Sequence, residues 1–70
     1  MLRQVVESSS LGSIGYDRET QTLEIEFRGG RTYRYLGVPP EVWAGLRHAA
    51  SKGQFFQSFV RDRFDTTRVA

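Results

Sequence analysis

Leu11 to Leu36 reads LGSIGYDRETQTLEIEFRGGRTYRYL, and this stretch decides the architecture of the chain. Within it Thr22 to Arg28 alternates strictly, placing Leu23, Ile25 and Phe27 on one face of a strand and Glu24 and Glu26 on the other. Gly29-Gly30 has the chemistry of a hairpin turn, and Thr32 to Leu36 returns as the next strand with Tyr33 and Tyr35 sharing a face. Ahead of them Leu11, Ile14 and Tyr16 mark an earlier strand, joined through the polar connection Asp17 to Thr22.

The turn length sets where the tyrosines go. A loop of only Gly29-Gly30 opposes Glu26 to Tyr33 and Glu24 to Tyr35, which puts both rings on the face away from Leu23, Ile25 and Phe27. A longer loop, Arg28-Gly29-Gly30 with Gly30 left-handed in a bulge, opposes Ile25 to Tyr33 and Leu23 to Tyr35. The longer loop gathers the apolar groups together and is the preferred register. It leaves Arg34 on the outer face near Glu24 and Glu26, and it moves weight for a binding site from the rings to Lys52. The shorter loop makes the sheet itself the platform.

Working outward, Val5 and Val6 can open a short N-terminal strand, with Ser8, Ser9 and Ser10 shaping a bend through side-chain to backbone hydrogen bonds. Pro39-Pro40-Glu41 starts a helix, since proline in the first turn loses no needed hydrogen bond and the helix dipole favours Glu41 there. Val42, Trp43, Leu46, Ala49 and Ala50 follow on one side. Ser51-Lys52-Gly53-Gln54 has the spacing of a capping box, with Ser51 accepting from the amide of Gln54 and Gln54 reaching back. Phe55, Phe56, Phe59 and Val60 form the buried stripe of this second helix, extended by Phe64. The tail after Asp65 has no apolar period and is expected to fray, leaving an ordered core of about residues 5–65 within a single domain over residues 1–70.

Seventy residues make one domain with little interior, and five Phe, three Tyr and one Trp compensate for it. Each buried ring removes roughly 150 to 250 Å² from water. Ten basic and eight acidic residues leave a formal charge of +2, a weak signal for a polyanionic partner. The kind of cation says more: Lys52 is the sole lysine, and the remaining basic residues are arginines, whose planar fork binds phosphate at two points and stacks on bases. The absence of cysteine excludes disulfides and thiolate metal sites and fits a reducing compartment. MLRQVVESSS has no apolar run of a signal peptide or a membrane span, so the expectation is a cytoplasmic domain, free-standing given its start at Met1, and monomeric because Glu24, Glu26 and Arg34 make the outer sheet face too charged to favour a dimer.

Val6 to Ser9, Ile14-Gly15-Tyr16-Asp17, Leu23 to Phe27, Gly30 with Tyr33 and Tyr35, Val38-Pro39, and Ala50-Ser51-Lys52-Gly53 followed by Phe55-Phe56 together resemble the KTSC domain, a small bacterial domain named for its place at the C-terminus of some lysyl-tRNA synthetases. The resemblance runs from about Val6 to Phe64. Trp43 stands where the family often has Tyr or Phe, and Gln57 where it often has Asn. What the resemblance implies about function is association with a tRNA-charging enzyme, and hence a nucleic-acid partner.

Catalysis is not expected. His48 is the only histidine, it falls on the outer side of the first helix, and no cysteine or acidic pair accompanies it. The same scarcity sets aside a metal centre, and no cofactor is expected. Two binding surfaces are candidates. At the start of the second helix, Ser51 and Gly53 offer free amides and close approach while Lys52 adds a mobile cation, which suits a phosphate; a plain cap between two helices explains the same residues. Elsewhere Tyr16, Tyr33, Tyr35 and Trp43 lie in sequence among Arg28, Arg31, Arg34 and Arg47, and rings beside cations suit single-stranded nucleic acid, although the rings also match the core period.

The expectation is an α+β domain: a three-stranded antiparallel meander, extended to four by a short N-terminal strand, packed against two C-terminal helices. Its expected function is non-enzymatic binding of single-stranded DNA or RNA through Arg34, Lys52, Tyr33, Tyr35, Arg31, Arg28, Ser51 and Gly53. The alternative is a protein-interaction module using an exposed ring or a free sheet edge.

Overall fold

The computed structural model describes residues 1–70. Its elements are β1 (Arg3–Val5), β2 (Leu11–Asp17), β3 (Thr22–Phe27), β4 (Thr32–Leu36), α1 (Pro40–His48), α2 (Lys52–Phe59) and β5 (Asp65–Arg68). The strands form one five-stranded antiparallel sheet in the order β1-β2-β3-β4-β5, with both helices inserted between β4 and β5. The α+β meander and its helices are as expected, and the sheet is wider by the last strand. Asp65 to Arg68, expected to fray, pairs along β4 from Leu36↔Asp65 to Tyr33↔Arg68. The pairing continues past the strand, with the Val69 amide donating to the Thr32 carbonyl at 2.9 Å and the Thr32 amide donating to Ala70 at 3.1 Å. All four residues of β5 are exposed, so this strand is held by its backbone and carries no apolar alternation to announce it.

The central hairpin takes the longer loop. Ile25 faces Tyr33 and Leu23 faces Tyr35, the Phe27 amide donates to the Arg31 carbonyl at 2.8 Å, and Gly30 returns a bond to Phe27 at 3.0 Å. Gly29 and Gly30 both hold positive φ, 103° and 98°, a conformation that L side chains resist. Another irregularity sets the face of Leu11. A bulge between Leu11 and Ser13 pairs Leu11 with Phe27 and Ser13 with Glu26, so Leu11 and Ile14, three apart, both turn inward and are fully buried.

The core gathers Leu11, Ile14, Leu23, Ile25 and Tyr35 of the sheet with Val38, Trp43, Leu46, Phe56 and Val60. Pro40 and Glu41 occupy the first turn of α1 as expected. Trp43 stacks on Tyr16 with ring centroids 5.5 Å apart, Arg47 covers it at 5.6 Å, and the Tyr16 hydroxyl donates to the Val38 carbonyl at 2.6 Å. Helical spacing overestimates the apolar stripes at their ends. α1 stops at His48, leaving Ala50 exposed, and Phe59 closes α2 with about half its surface in water (52%). Phe64 lies beyond α2 and is only partly buried.

On the outer face, Arg3, Gly15, Glu24 and Arg34 stand in one row across four strands. Glu24 is 8% exposed and pairs with Arg34 at 2.8 Å and with Arg3 at 3.3 Å. Arg3 reaches it by lying across Gly15: a Cβ there would meet the Leu2 carbonyl oxygen at 2.6 Å and the Arg3 Cγ at 2.8 Å. Gly15→Ala is therefore expected to lift β1, at a cost of about 1 to 3 kcal/mol. Hydrogen exchange should show lost protection confined to Arg3–Val5 and the β2 amides facing them.

Candidate nucleic-acid interface

Three of the eight expected contact residues come together, and the other five lie elsewhere. Arg31, Tyr33 and Tyr35 line a groove of about 400 Å³ with Phe27, Phe56, Arg61 and Asp62. It opens where helical cover ends. α2 supplies Phe56, whose ring meets Phe27 and Tyr35 edge-on at 5.3 and 5.7 Å, and then gives way to a turn that carries Arg61 and Asp62 past the end of β4. Tyr33 meets Phe27 at 5.8 Å and stays half-buried, while Tyr35 is 5% exposed. The bulged register thus brings both rings to the inner face, where Tyr35 is buried against Phe56 and Tyr33 stays partly open. In the sequence Arg61 could extend a basic edge with Arg63 and Arg68 but reads equally well as a solvated helix charge, and Asp62 reads only as an outward helix charge; their one further signal is their position just after the last buried residue, Val60.

In the groove Arg61 donates to the Gln57 side chain at 2.9 Å, and the other cations expected at the site are engaged away from it. Arg28 donates from Nε to the Ser8 carbonyl at 2.6 Å, anchoring the serine bend. Arg34 is held on the opposite face by Glu24. Lys52 donates from Nζ to the Ala49 carbonyl at 3.2 Å, which satisfies a group at the end of α1. Ser51 caps α2 by accepting from the Gln54 amide at 3.3 Å, and the exposed Gln54 side chain makes no return bond. Gly53 packs beneath the serine bend, where a Cβ would lie 2.9 Å from the Ser10 hydroxyl. The start of α2 therefore joins three segments of backbone.

Two hydroxyls are held neutral. Burial pushes Tyr35 up to about 12, with Tyr33 and Asp62 adding to the effect. Tyr16 is also raised, first by burial and then by Glu41 and Asp17, against an opposing Arg18. An unfolded tyrosine titrates near 10. Tyr35 therefore contributes stability that is complete below about pH 10 and is lost as pH rises through about 12. Urea denaturation of wild type and Tyr35→Phe at about pH 8 and about pH 11 is expected to show a shallower alkaline decline in the variant.

The KTSC domain model matches residues 7–64. The chain belongs to the KTSC domain family. A KTSC domain protein from Yersinia pestis has a crystal structure that superposes with a TM-score of 0.96 at 42% identity, covering 99% of this chain and 97% of that one. An uncharacterised protein of Stutzerimonas stutzeri is 54% identical over 61 residues, covering 87% of this chain and 86% of its own. A lysine–tRNA ligase of Nostoc punctiforme is 45% identical over 58 residues, which cover 83% of this chain and only 10% of the ligase. This KTSC domain thus spans about a tenth of that enzyme. No helix of it is long and apolar enough to cross a membrane.

Proposed function

We propose that this KTSC domain is a non-enzymatic, monomeric cytoplasmic module that binds single-stranded nucleic acid in the groove between β4 and the turn after α2. The observation that supports it is the pairing of aromatic walls with two arginines in one concavity: Phe27, Tyr33, Tyr35 and Phe56 with Arg31 and Arg61. Phe27 and Tyr33, the partly exposed rings, are the ones that can stack on bases, at roughly 1 to 3 kcal/mol per base, over a floor of the buried Tyr35 and Phe56, and arginine forks hold the phosphates. Similarity to a segment of a lysine–tRNA ligase adds an association with an RNA-handling enzyme.

Amide chemical-shift mapping with a short oligonucleotide tests this reading. Shifts are expected at Arg31, Tyr33, Tyr35, Arg61 and Asp62, with affinity falling steeply as salt rises through counterion release. No shifts at high micromolar oligonucleotide would exclude it. Phe59, half exposed and packed on Phe55 at 4.7 Å, favours a second reading as a protein-interaction surface. A partner held there would bind almost independently of salt.

A further inference from the structure

Tyr35 is buried to within 5% of full exclusion, it lines the groove, and its hydroxyl forms none of the molecule's side-chain hydrogen bonds, unlike Tyr16, which donates to Val38. No buried side-chain oxygen or nitrogen of the molecule lacks a partner, so the Tyr35 hydroxyl is the tip of a buried ring that reaches the water of the groove, where a ligand can take the water's place. Asp62 lines the same concavity. Its backbone is left-handed, φ 60°, in the turn that ends α2, a position where glycine or asparagine costs least. Its carboxylate is 91% exposed and its only ion-pair partner is Arg61 at 3.8 Å, so both oxygens are open to a ligand.

A carboxylate among arginines weakens binding of any phosphate chain, by repulsion and by competing for the cations. What offsets that loss is a ligand that gives the carboxylate two donors side by side. Guanine does so with N1–H and the exocyclic N2 amino group; adenine and cytosine set a donor beside an acceptor, and uracil flanks its one donor with two carbonyls. Guanine's other edge, O6 and N7, is the surface an arginine fork or a hydroxyl donor matches best. At about 400 Å³ the groove suits one base with its phosphate, and unpaired bases are read on these edges when splayed from a strand.

We propose that the groove selects guanine in single-stranded nucleic acid, with Asp62 accepting from N1–H and N2, the Tyr35 hydroxyl donating to the O6 edge, and Arg31 and Arg61 holding phosphate. This rests on the nucleic-acid reading above. The test compares a uridine hexanucleotide carrying one central guanosine with the same strand carrying adenosine or inosine, which lacks the N2 amino group. The guanosine strand is expected to bind at least about tenfold more tightly than either. Asp62→Asn, which keeps a residue tolerant of the left-handed turn, is expected to erase that preference; Tyr35→Phe should reduce it. Equal affinity for all three strands, at salt-dependent strength and with shifts in the groove, would overturn the guanine assignment and leave the nucleic-acid reading standing. A preference retained in Asp62→Asn would overturn the role of the carboxylate. Binding by none of the strands would overturn both.

Discussion

Ile25→Ala is expected to remove roughly 2 to 5 kcal/mol of stability, the cost of deleting a branched side chain from a site that cannot collapse. Ile25 has no exposed surface and lies on β3, the middle strand of the sheet, between Ile14 and Tyr33. Both neighbours are themselves tied to the sheet, so little can move in to fill the space. The size of the effect matters because the whole is small: at about 0.05 to 0.15 kcal/mol per residue, a chain of this length holds roughly 4 to 10 kcal/mol in total. Each kcal/mol is worth about 4 to 8 °C in a domain of this size, so the melting temperature should fall by at least about 8 °C. Phe59→Ala, at a residue the helical period marks as core but which stands half exposed, should cost far less. Thermal melts followed by circular dichroism compare the two, and equal losses would contradict the assignment of Phe59 to the surface.

Reversing both groove cations, Arg31→Glu with Arg61→Glu, is expected to weaken oligonucleotide binding by more than about 100-fold at low salt, since attraction becomes repulsion at two phosphate contacts. Neutralising the same pair, with Arg31→Gln and Arg61→Gln, should lower the slope of log affinity against log salt by about 1.4, or 0.7 per contact on a single strand. Lys52→Glu is the control. Its ammonium is spent on the Ala49 carbonyl at the α1–α2 junction, so the variant should lose some stability and keep most of its affinity. Fluorescence anisotropy across a salt series separates these results. Loss of binding in Lys52→Glu, with the arginine pair indifferent, would move the site from the groove to the start of α2.

Much of the fold was legible because periodicity and turn chemistry act locally. The alternation from Leu23 to Phe27 and the glycine pair after it specify a hairpin, and the preference for burying apolar groups together selects the bulged register that places Tyr33 and Tyr35 opposite Leu23 and Ile25. The prolines and Ser51 mark the helix starts for equally local reasons. β5 was not legible in the same way. Asp65 to Arg68 has two threonines that suit a strand, yet no inward apolar residue, and it forms because the open edge of β4 is there to pair with. The site was half legible: Arg31, Tyr33 and Tyr35 lie on one hairpin, whereas Arg61 and Asp62 arrive from a turn distant in sequence.

The sequence by itself determined the meander, the two helices and the family, and it favoured one of two hairpin registers, since each is written in spacings of a few residues that obey backbone geometry. Only the tertiary structure decided which charges are free. Arg28 and Lys52 look as available as Arg31 in the chain, but a carbonyl brought close by folding engages each of them, while Arg61 at the groove bonds only its own neighbours, Gln57 at 2.9 Å and Asp62 at 3.8 Å. The contact that engages Arg28 joins residues twenty apart along the chain, the Arg34–Glu24 pair follows from the hairpin register itself, and Lys52, though it caps a carbonyl three residues back, does so only once the two helices meet. It is this folding, with the end of α2 falling short of Tyr33, that leaves two arginines, two tyrosines and Asp62 around one opening.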